Sequence, residues 1–495
     1  MKQKKTTSAQ NEKRVLRAGV ARREITTDTR PGEIHDPLWV KALVLDDGNT
    51  PLAILSLDAV AIGGIGDIPD EYLPALRNRI EKKLGIPGTS VLVHATHTHP
   101  SGRLICDSRK LLDRSFAAVR QAFNDRTAVT AGFGSGREDR IMMNRTLRLK
   151  NGGRWTVRQA YPCPPDEEVA GLGPTDPEIG LIRIDHLDGR PLAVLYNFAG
   201  HPLLGVPNGK ITANYPGFAS AIIEEQLGSG ALAFFLQGAG GDQTEILYKD
   251  VNRPRDARPG GIQLGWNALK VWRTIRPGAA TLAVASRTIE LPRRMDVSES
   301  VAALRKQQTE LLASLRYTSL NFRSFLPLLI RHTLNPRYPG DYAYRYMQEE
   351  KIGSDDLRSM DAENQRNLDK YLQNIRAMEK LSKIEDDIAT LLLHQEQNRS
   401  AGESSIRVEV QGLRIGDGAL ISSPAENLVE VGLRLKRRSP FRHTLIAAFS
   451  NGYVHYGTPA AEYERGGYES TECMLASGWQ RIYEKAALDI LRELA

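Results

Sequence analysis

Val91-Leu92-Val93-His94-Ala95-Thr96-His97-Thr98-His99-Pro100-Ser101-Gly102 is the stretch on which the reading of the fold turns. An apolar run of buried-strand type passes into three histidines, and Pro-Ser-Gly then forces a turn. Along an extended chain, His97 and His99 fall on one face. Histidines at the carboxyl end of a buried strand sit where α/β proteins place ligands. The plain alternative is a set of core or surface histidines, and the triple recurrence weighs against it.

Other strand ends repeat the pattern. Asn197-Phe198-Ala199-Gly200-His201-Pro202 brings another histidine to a strand-to-loop junction. Phe234–Gln237 runs into Gly238-Ala239-Gly240-Gly241-Asp242-Gln243-Thr244, a glycine-rich turn carrying an acid. It lacks the Gly-Lys-Ser/Thr ending of a phosphate loop. Its glycines suit close approach of backbone to a ligand. Ser422-Ser423-Pro424-Ala425-Glu426 ends a strand and starts a helix, which leaves Glu426 open to being a first-turn helix acid. Ser450-Asn451-Gly452-Tyr453-Val454-His455-Tyr456 follows, with Tyr463 and Tyr468 beyond. Five strand-end loops, each offering one polar ligand, match a mononuclear zinc hydrolase, where His nitrogen and carboxylate oxygen hold the ion.

Around these junctions the chain alternates strands and helices from Val15 to about Leu291. Trp39–Leu45 and Leu52–Asp58 form a hairpin across Asp46-Asp47-Gly48, and Asp67 with Pro69 opens a helix ending at Gly85. From Asp296 to about Arg399 strand character vanishes. Asp296 with Glu299 reads as a capping box, and Leu368, Leu372, Ile375, Met378, Leu381, Ile384, Ile388 and Leu391 recur every three or four residues. That spacing predicts a helical hairpin or short coiled coil. Phe322–Ile330, apolar and irregular, lies between its arms and is open to core packing, a dimer contact, or a substrate or membrane lip. Strands return at Ile406–Val410, Leu413–Ser422 and Thr444–Phe449. The fold class expected is α/β (α+β), with mixed β-sheets flanked by helices and the metal site at strand ends. The expected parts are a disordered basic tail (1–15), a catalytic domain in two pieces (16–295 and 405–495), and a helical hairpin insertion (296–404).

Composition narrows the field. The 495 residues are 41% hydrophobic and 25% charged, an ordinary globular balance. Three scattered cysteines, Cys106, Cys163 and Cys473, argue against a disulfide framework or a Cys-rich zinc site. Any metal must therefore rest on His and carboxylate. The net charge of +7 comes partly from the N-terminal tail and partly from Arg434, Lys436, Arg437 and Arg438. No nucleic-acid recognition motif accompanies it, so no nucleic-acid partner is expected. Attraction to an anionic membrane surface stays open. With no signal peptide visible, the chain as written reads as cytoplasmic; a longer N-terminus would make it secreted or periplasmic.

The segments above, in this order, resemble the neutral/alkaline (non-lysosomal) ceramidase family. The resemblance rests on Thr96-His97-Thr98-His99, on Ala199-Gly200-His201-Pro202 followed by Asn214-Tyr215-Pro216-Gly217, and on Gly241-Asp242-Gln243-Thr244. Pro424-Ala425-Glu426 and Asn451-Gly452-Tyr453-Val454-His455-Tyr456 with Glu462-Tyr463 continue it. Ile34-His35-Asp36-Pro37-Leu38 and Asn144-Arg145 also fit. The resemblance spans roughly 15–291 and 405–475. It implies a single zinc ion held by His97, His201, Glu426 and Tyr456. It implies that His99 handles protons, that Arg145 binds the carbonyl or carboxylate side of the substrate, and that Thr244 and His35 lie in the substrate site. Asp242 is expected to orient a histidine or to cap its loop. Asn214 stands where the family has Asp, and Thr146-Leu147 where it has Ser-Pro. The chain ends about 40 residues after Tyr456, which leaves no room for the family's C-terminal immunoglobulin-like domain.

The implied activity is cleavage of an N-acyl amide by zinc-activated water, on a small-molecule or lipid-like substrate. A polar amide or ester, such as an N-acylated sugar, is the alternative, and a non-catalytic binding protein on the same fold is a second. Peripheral membrane contact and homo-oligomerisation through the helical hairpin are open partner readings.

Overall fold

The computed structural model describes residues 15–495 apart from 28–29, 65–67, 100–104, 158–163, 247–251 and 464. Nearly all of the basic tail, Asp67, the Pro100-Ser101-Gly102 turn and Cys163 lie outside the described residues. The described chain is mixed α/β.

Eight strands form the main sheet, in the order Leu232–Gln237, Pro191–Phe198, Glu178–His186, Thr127–Arg137, Arg17–Glu24, Trp39–Asp46, Pro51–Leu57, Val91–Ala95. The pair at each end is parallel and the inner pairs are antiparallel. A second sheet runs Leu282–Pro292, Ser405–Ile415, Gly418–Ser422, His443–Ala447. Both faces of the main sheet are covered. In Trp39–Asp46, Val40, Ala42 and Val44 pack with the helices Tyr72–Leu84 and Ser108–Asn124. Leu43 and Leu45 point the other way and meet Leu413, Leu420 and Leu445 of the second sheet. This double burial is why the strand reads as a continuous apolar run rather than an alternating one. Each such leucine contributes roughly 1.5–3 kcal/mol by leaving water. Helices Asn214–Leu227 and Arg258–Thr274 cover the other half of the main sheet. Val429–Arg438 and Trp479–Leu494 cover the outer face of the second. The layers are therefore helix, sheet, sheet, helix.

The chain divides into two compact units: residues up to Arg294 with Ala401–Ala495, and Met295–Ser400. In the first unit, Leu282–Pro292 and Ser405–Ile415 pair without a break up to Pro292 opposite Ser405, so both ends of the intervening segment leave from one hairpin. The second unit is helical: Val297–Ser314, Phe322–Leu334, Ala343–Ile352 and the 45-residue Asp356–Ser400. Its first and last helices run antiparallel, with Gln395 Nε2 on Ser298 Oγ (3.1 Å) and Gln308 Nε2 on Glu385 Oε2 (2.8 Å). Val297, Val301, Ile384, Ile388 and Leu391 form its core.

Local expectations change here. Asp296 makes no side-chain cap, so the expected box with Glu299 does not form. Asn321 and Ser324 form one instead, and it starts a helix where the sequence reads as irregular. Strands Arg17–Glu24 and Thr127–Arg137 and helix Ser108–Asn124 are additions to the sequence reading.

Candidate metal centre

Strands Val91–Ala95 and Leu232–Gln237 are the two edges of the main sheet, and the segment after the last strand of the second sheet stitches them together. Ala448 N donates to Gln237 O (3.0 Å), Asn451 N to Val93 O (2.9 Å) and Ala95 N to Phe449 O (3.1 Å). His94 completes the seam: its Nε2 accepts from Gln237 N (2.8 Å) and its Nδ1 meets Ser450 Oγ (3.0 Å). Both ring nitrogens are used. His94 is a satisfied core histidine, and burial pushes its pKa down to about 3.

His97 leaves the strand. Its φ of 61° is left-handed, so the pairing of His97 with His99 comes from a turn and not from strand alternation. Its Nδ1 lies 2.8 Å from the Val60 carbonyl, which requires a hydrogen there and leaves the Nε2 lone pair free. Its ring stacks on Phe449, with centroids 3.8 Å apart. His201 follows strand Pro191–Phe198, and His99 N donates to Pro202 O (3.3 Å).

Three Nε2 atoms converge: His97 to His201 at 3.0 Å, His99 to His97 at 3.1 Å, and His99 to His201 at 2.9 Å. Among the described residues these rings form a group with metal-ligand spacing. The His97 and His201 nitrogens are close enough to share one ion roughly 2 Å from each, the usual zinc–nitrogen length, with His99 Nε2 beside them. Glu426 Oε2 stands 3.6 Å from His97 Nε2, buried and without a hydrogen-bond partner. A dry carboxylate oxygen beside His97 fits a divalent cation. Burial, then neighbouring His97 and Arg145, hold His201 well below the usual histidine range; burial lowers His97 to about 3. Both rings therefore stay neutral and able to ligate. His99 is the exposed member of the three.

Two solved structures share this architecture. The neutral ceramidase from Pseudomonas aeruginosa aligns over 97% of this chain and 74% of its own, with a TM-score of 0.61 and 16% identity. A ceramidase complexed with C2 aligns over 97% and 75%, with a TM-score of 0.61 and 17% identity. The fold is that of a neutral ceramidase. No family model matches the sequence, and no curated protein matches it.

Within the neutral ceramidase fold, Glu426 does not begin a helix as the sequence suggests. It lies on a two-residue strand, Glu426–Asn427, parallel to Tyr456–Gly457. This pairing sets Glu426 beside Tyr456. Burial raises the Glu426 pKa; hydrogen bonding from Tyr453, whose hydroxyl lies 2.5 Å from Oε1, and from Tyr456 opposes the rise. Arg145 is fully buried. Its Nη2 donates to Tyr456 Oη (2.9 Å) and Gly241 O (2.7 Å), and its Nε donates to Glu469 Oε1 (2.8 Å). Burial raises the Tyr456 pKa well above the ordinary value, with Arg145 pulling the other way. Thr244 is buried with an unpartnered hydroxyl, on a short strand paired with Met142–Asn144.

Asp242 and His35 make their contacts away from the histidine triangle. Asp242 orients no histidine among the described residues. Its oxygens accept from Val429 N (2.9 Å), Gln243 Nε2 (3.1 Å) and Asn144 Nδ2 (2.7 Å), so it clasps its loop to a helix start. Burial raises its pKa to about 6. His35 has Nδ1 on Asp36 (2.8 Å) and Nε2 on Arg258 (3.0 Å), with Phe218 against its ring edge; both nitrogens are spent on that cluster. Three residues to which the sequence reading assigns no role support the site. They are Tyr453 on Glu426, Glu469 on Arg145, and Glu245. Glu245 Oε2 accepts from Leu203 N (2.8 Å) and Leu204 N (2.7 Å), just after His201. Glu469 directly follows the quoted Tyr468, the one signal available for it.

Proposed function

We propose that this chain is a zinc-dependent amidohydrolase that cleaves an N-acyl amide to an acid and an amine, as a ceramidase does. The observation that carries the reading is the triangle of His97, His99 and His201 nitrogens beside the orphaned Glu426 oxygen, in a fold shared with neutral ceramidases. His97, His201, Glu426 and Tyr456 would hold the ion. When bound, zinc supplies a Lewis acid that polarises a carbonyl and acidifies water. His99, exposed and within 3.1 Å of both partner rings, takes up a proton at Nε2 and returns it to the leaving amine. Tyr456 keeps its phenolic proton through burial and, backed by Arg145, donates to a carbonyl oxygen as it gains charge. Arg145, pinned by Glu469, holds an acyl or carboxylate oxygen.

The test is metal content beside hydrolysis of an N-acyl sphingoid base. Wild type is expected to bind about one zinc per chain. His201→Ala is expected to lose both metal and activity. Tyr456→Phe is expected to keep the metal and lose roughly 10²–10³ in rate, the usual worth of one oxyanion donor. Full activity in a metal-free His201→Ala protein would sink the reading.

A further inference from the structure

We propose that the second unit carries a docking surface for an anionic lipid bilayer, built on helix Phe322–Leu334 and the turn before it. This goes beyond the hydrolase reading and does not rest on it. The helix divides into two faces. Phe325 is buried and stacks on Tyr371, with centroids 4.4 Å apart. Phe322, Leu326, Ile330 and Leu334 recur at every fourth position, 65%, 42%, 48% and 80% exposed, and Tyr317 just upstream is 89% exposed. A contiguous stripe of large apolar side chains left in water marks a contact surface.

Charge identifies the occupant. Residues 311–340 contain four arginines, Arg316, Arg323, Arg331 and Arg337, and no Asp, Glu or Lys. None of the four has a carboxylate within ion-pair distance among the described residues. The Arg316 guanidinium donates to the Ala313 and Leu315 carbonyls, and the Arg337 guanidinium lies over the Tyr338 ring. Basic side chains flanking an apolar helical stripe suit the boundary between acyl chains and anionic headgroups. A helix of 13 residues is about 20 Å long, enough to lie along a surface. No described helix is long and apolar enough to cross a membrane, so the contact is peripheral. A second copy is a poor occupant, because a two-fold contact would set four arginines against four arginines.

Co-sedimentation of the intact protein with lipid vesicles tests this. Binding is expected to vesicles containing phosphatidylserine, little to phosphatidylcholine alone, with loss at high salt. Arg323→Gln with Arg331→Gln is expected to weaken binding roughly tenfold or more, since each arginine near an anionic surface adds about fivefold. Leu326→Gln with Ile330→Gln is expected to weaken it as well; both side chains are solvent-exposed, and unchanged helicity by circular dichroism confirms folding. The proposal is overturned by absence of binding in the folded wild type, by binding indifferent to lipid charge, or by variants that bind like wild type. A dimer that the Leu326→Gln, Ile330→Gln variant converts to monomer, without change in vesicle binding, would assign the stripe to self-association instead.

Discussion

Glu426 Oε2 is buried and has no hydrogen-bond partner, and burial raises the pKa of its carboxyl. Such an atom destabilises a metal-free protein and is compensated when a cation arrives. Glu426→Gln is therefore expected to act with opposite signs. Without metal it raises Tm by a few degrees, because a buried, unpaired acid oxygen is gone. With zinc present, the rise in Tm seen for wild type shrinks or disappears. Thermal scans with and without zinc check both arms, and a variant that gains as much from zinc as wild type contradicts the ligand role. Glu245 offers a pH test. Burial raises its pKa to about 8, against an ordinary 4.5. Between those values the folded state holds a proton that the unfolded state has lost. Stability therefore falls as pH rises, by about 1.4 kcal/mol per unit. Glu245→Gln removes that slope, so its Tm relative to wild type is expected to climb from pH 5 to pH 8; a constant offset would show that the acid does not titrate there. At this scale the sequence shows residue types but not partners. His97 and His201 stand out because each ends a strand. Asp242 stands out for the same reason and His35 by the family resemblance, yet Val429 and Asn144 take the oxygens of the one, and Asp36 and the distant Arg258 take the nitrogens of the other.

Among the elements, strands buried on both faces are the easily read ones, because an apolar run such as Leu232–Gln237 admits few other fates. Strand Thr127–Arg137 escapes that logic. Gly132, Gly134 and Gly136 strip one face of side chains, so the strand shows neither a run nor an alternation. The glycines are there because helix Arg258–Thr274 and the residues after it lie against that face. A Cβ on Gly134 would sit 2.5 Å from Ile275 Cγ1, and one on Gly132 2.9 Å from Ile275 Cγ2. Gly134→Val is expected to destabilise the protein by about 1–3 kcal/mol through overpacking. Denaturant unfolding measures the cost, and a neutral result would mean the helix shifts freely. The same tightness operates at the site. A Cβ on Gly241 would lie 2.7 Å from the Glu426 carbonyl oxygen, so only glycine lets the Asp242 loop close on the strand that carries Glu426. The Glu426–Asn427 strand is two residues long and pairs with a segment about thirty residues on, which is too short for periodicity and too distant for a hairpin signal.

For the whole molecule, the helical insertion is legible from composition alone, since strand pattern stops near Asp296 and a leucine repeat replaces it. That its entry and exit share one hairpin is not, because the full pairing of Leu282–Pro292 with Ser405–Ile415 links residues more than a hundred positions apart. That pairing makes the first unit separable. Arg293 N donates to Ser404 O (2.9 Å), so a short turn can bridge Arg294 to Ala401 in place of Met295–Ser400. The buried clusters of the two sheets and their helices are built wholly from residues outside that segment. Excising it behind a Gly-Ser turn is therefore expected to leave a folded protein with Tm within several degrees of wild type and an unchanged zinc content. Vesicle binding is expected to fall to background, since the arginine-flanked stripe leaves with the segment. Hydrolysis then divides by substrate. A water-soluble short-chain amide reports the centre alone and should turn over as before, whereas the same amide presented in phosphatidylserine vesicles should turn over more slowly, by about the factor lost in surface binding. Equal loss on both substrates would instead make the segment part of the catalytic unit.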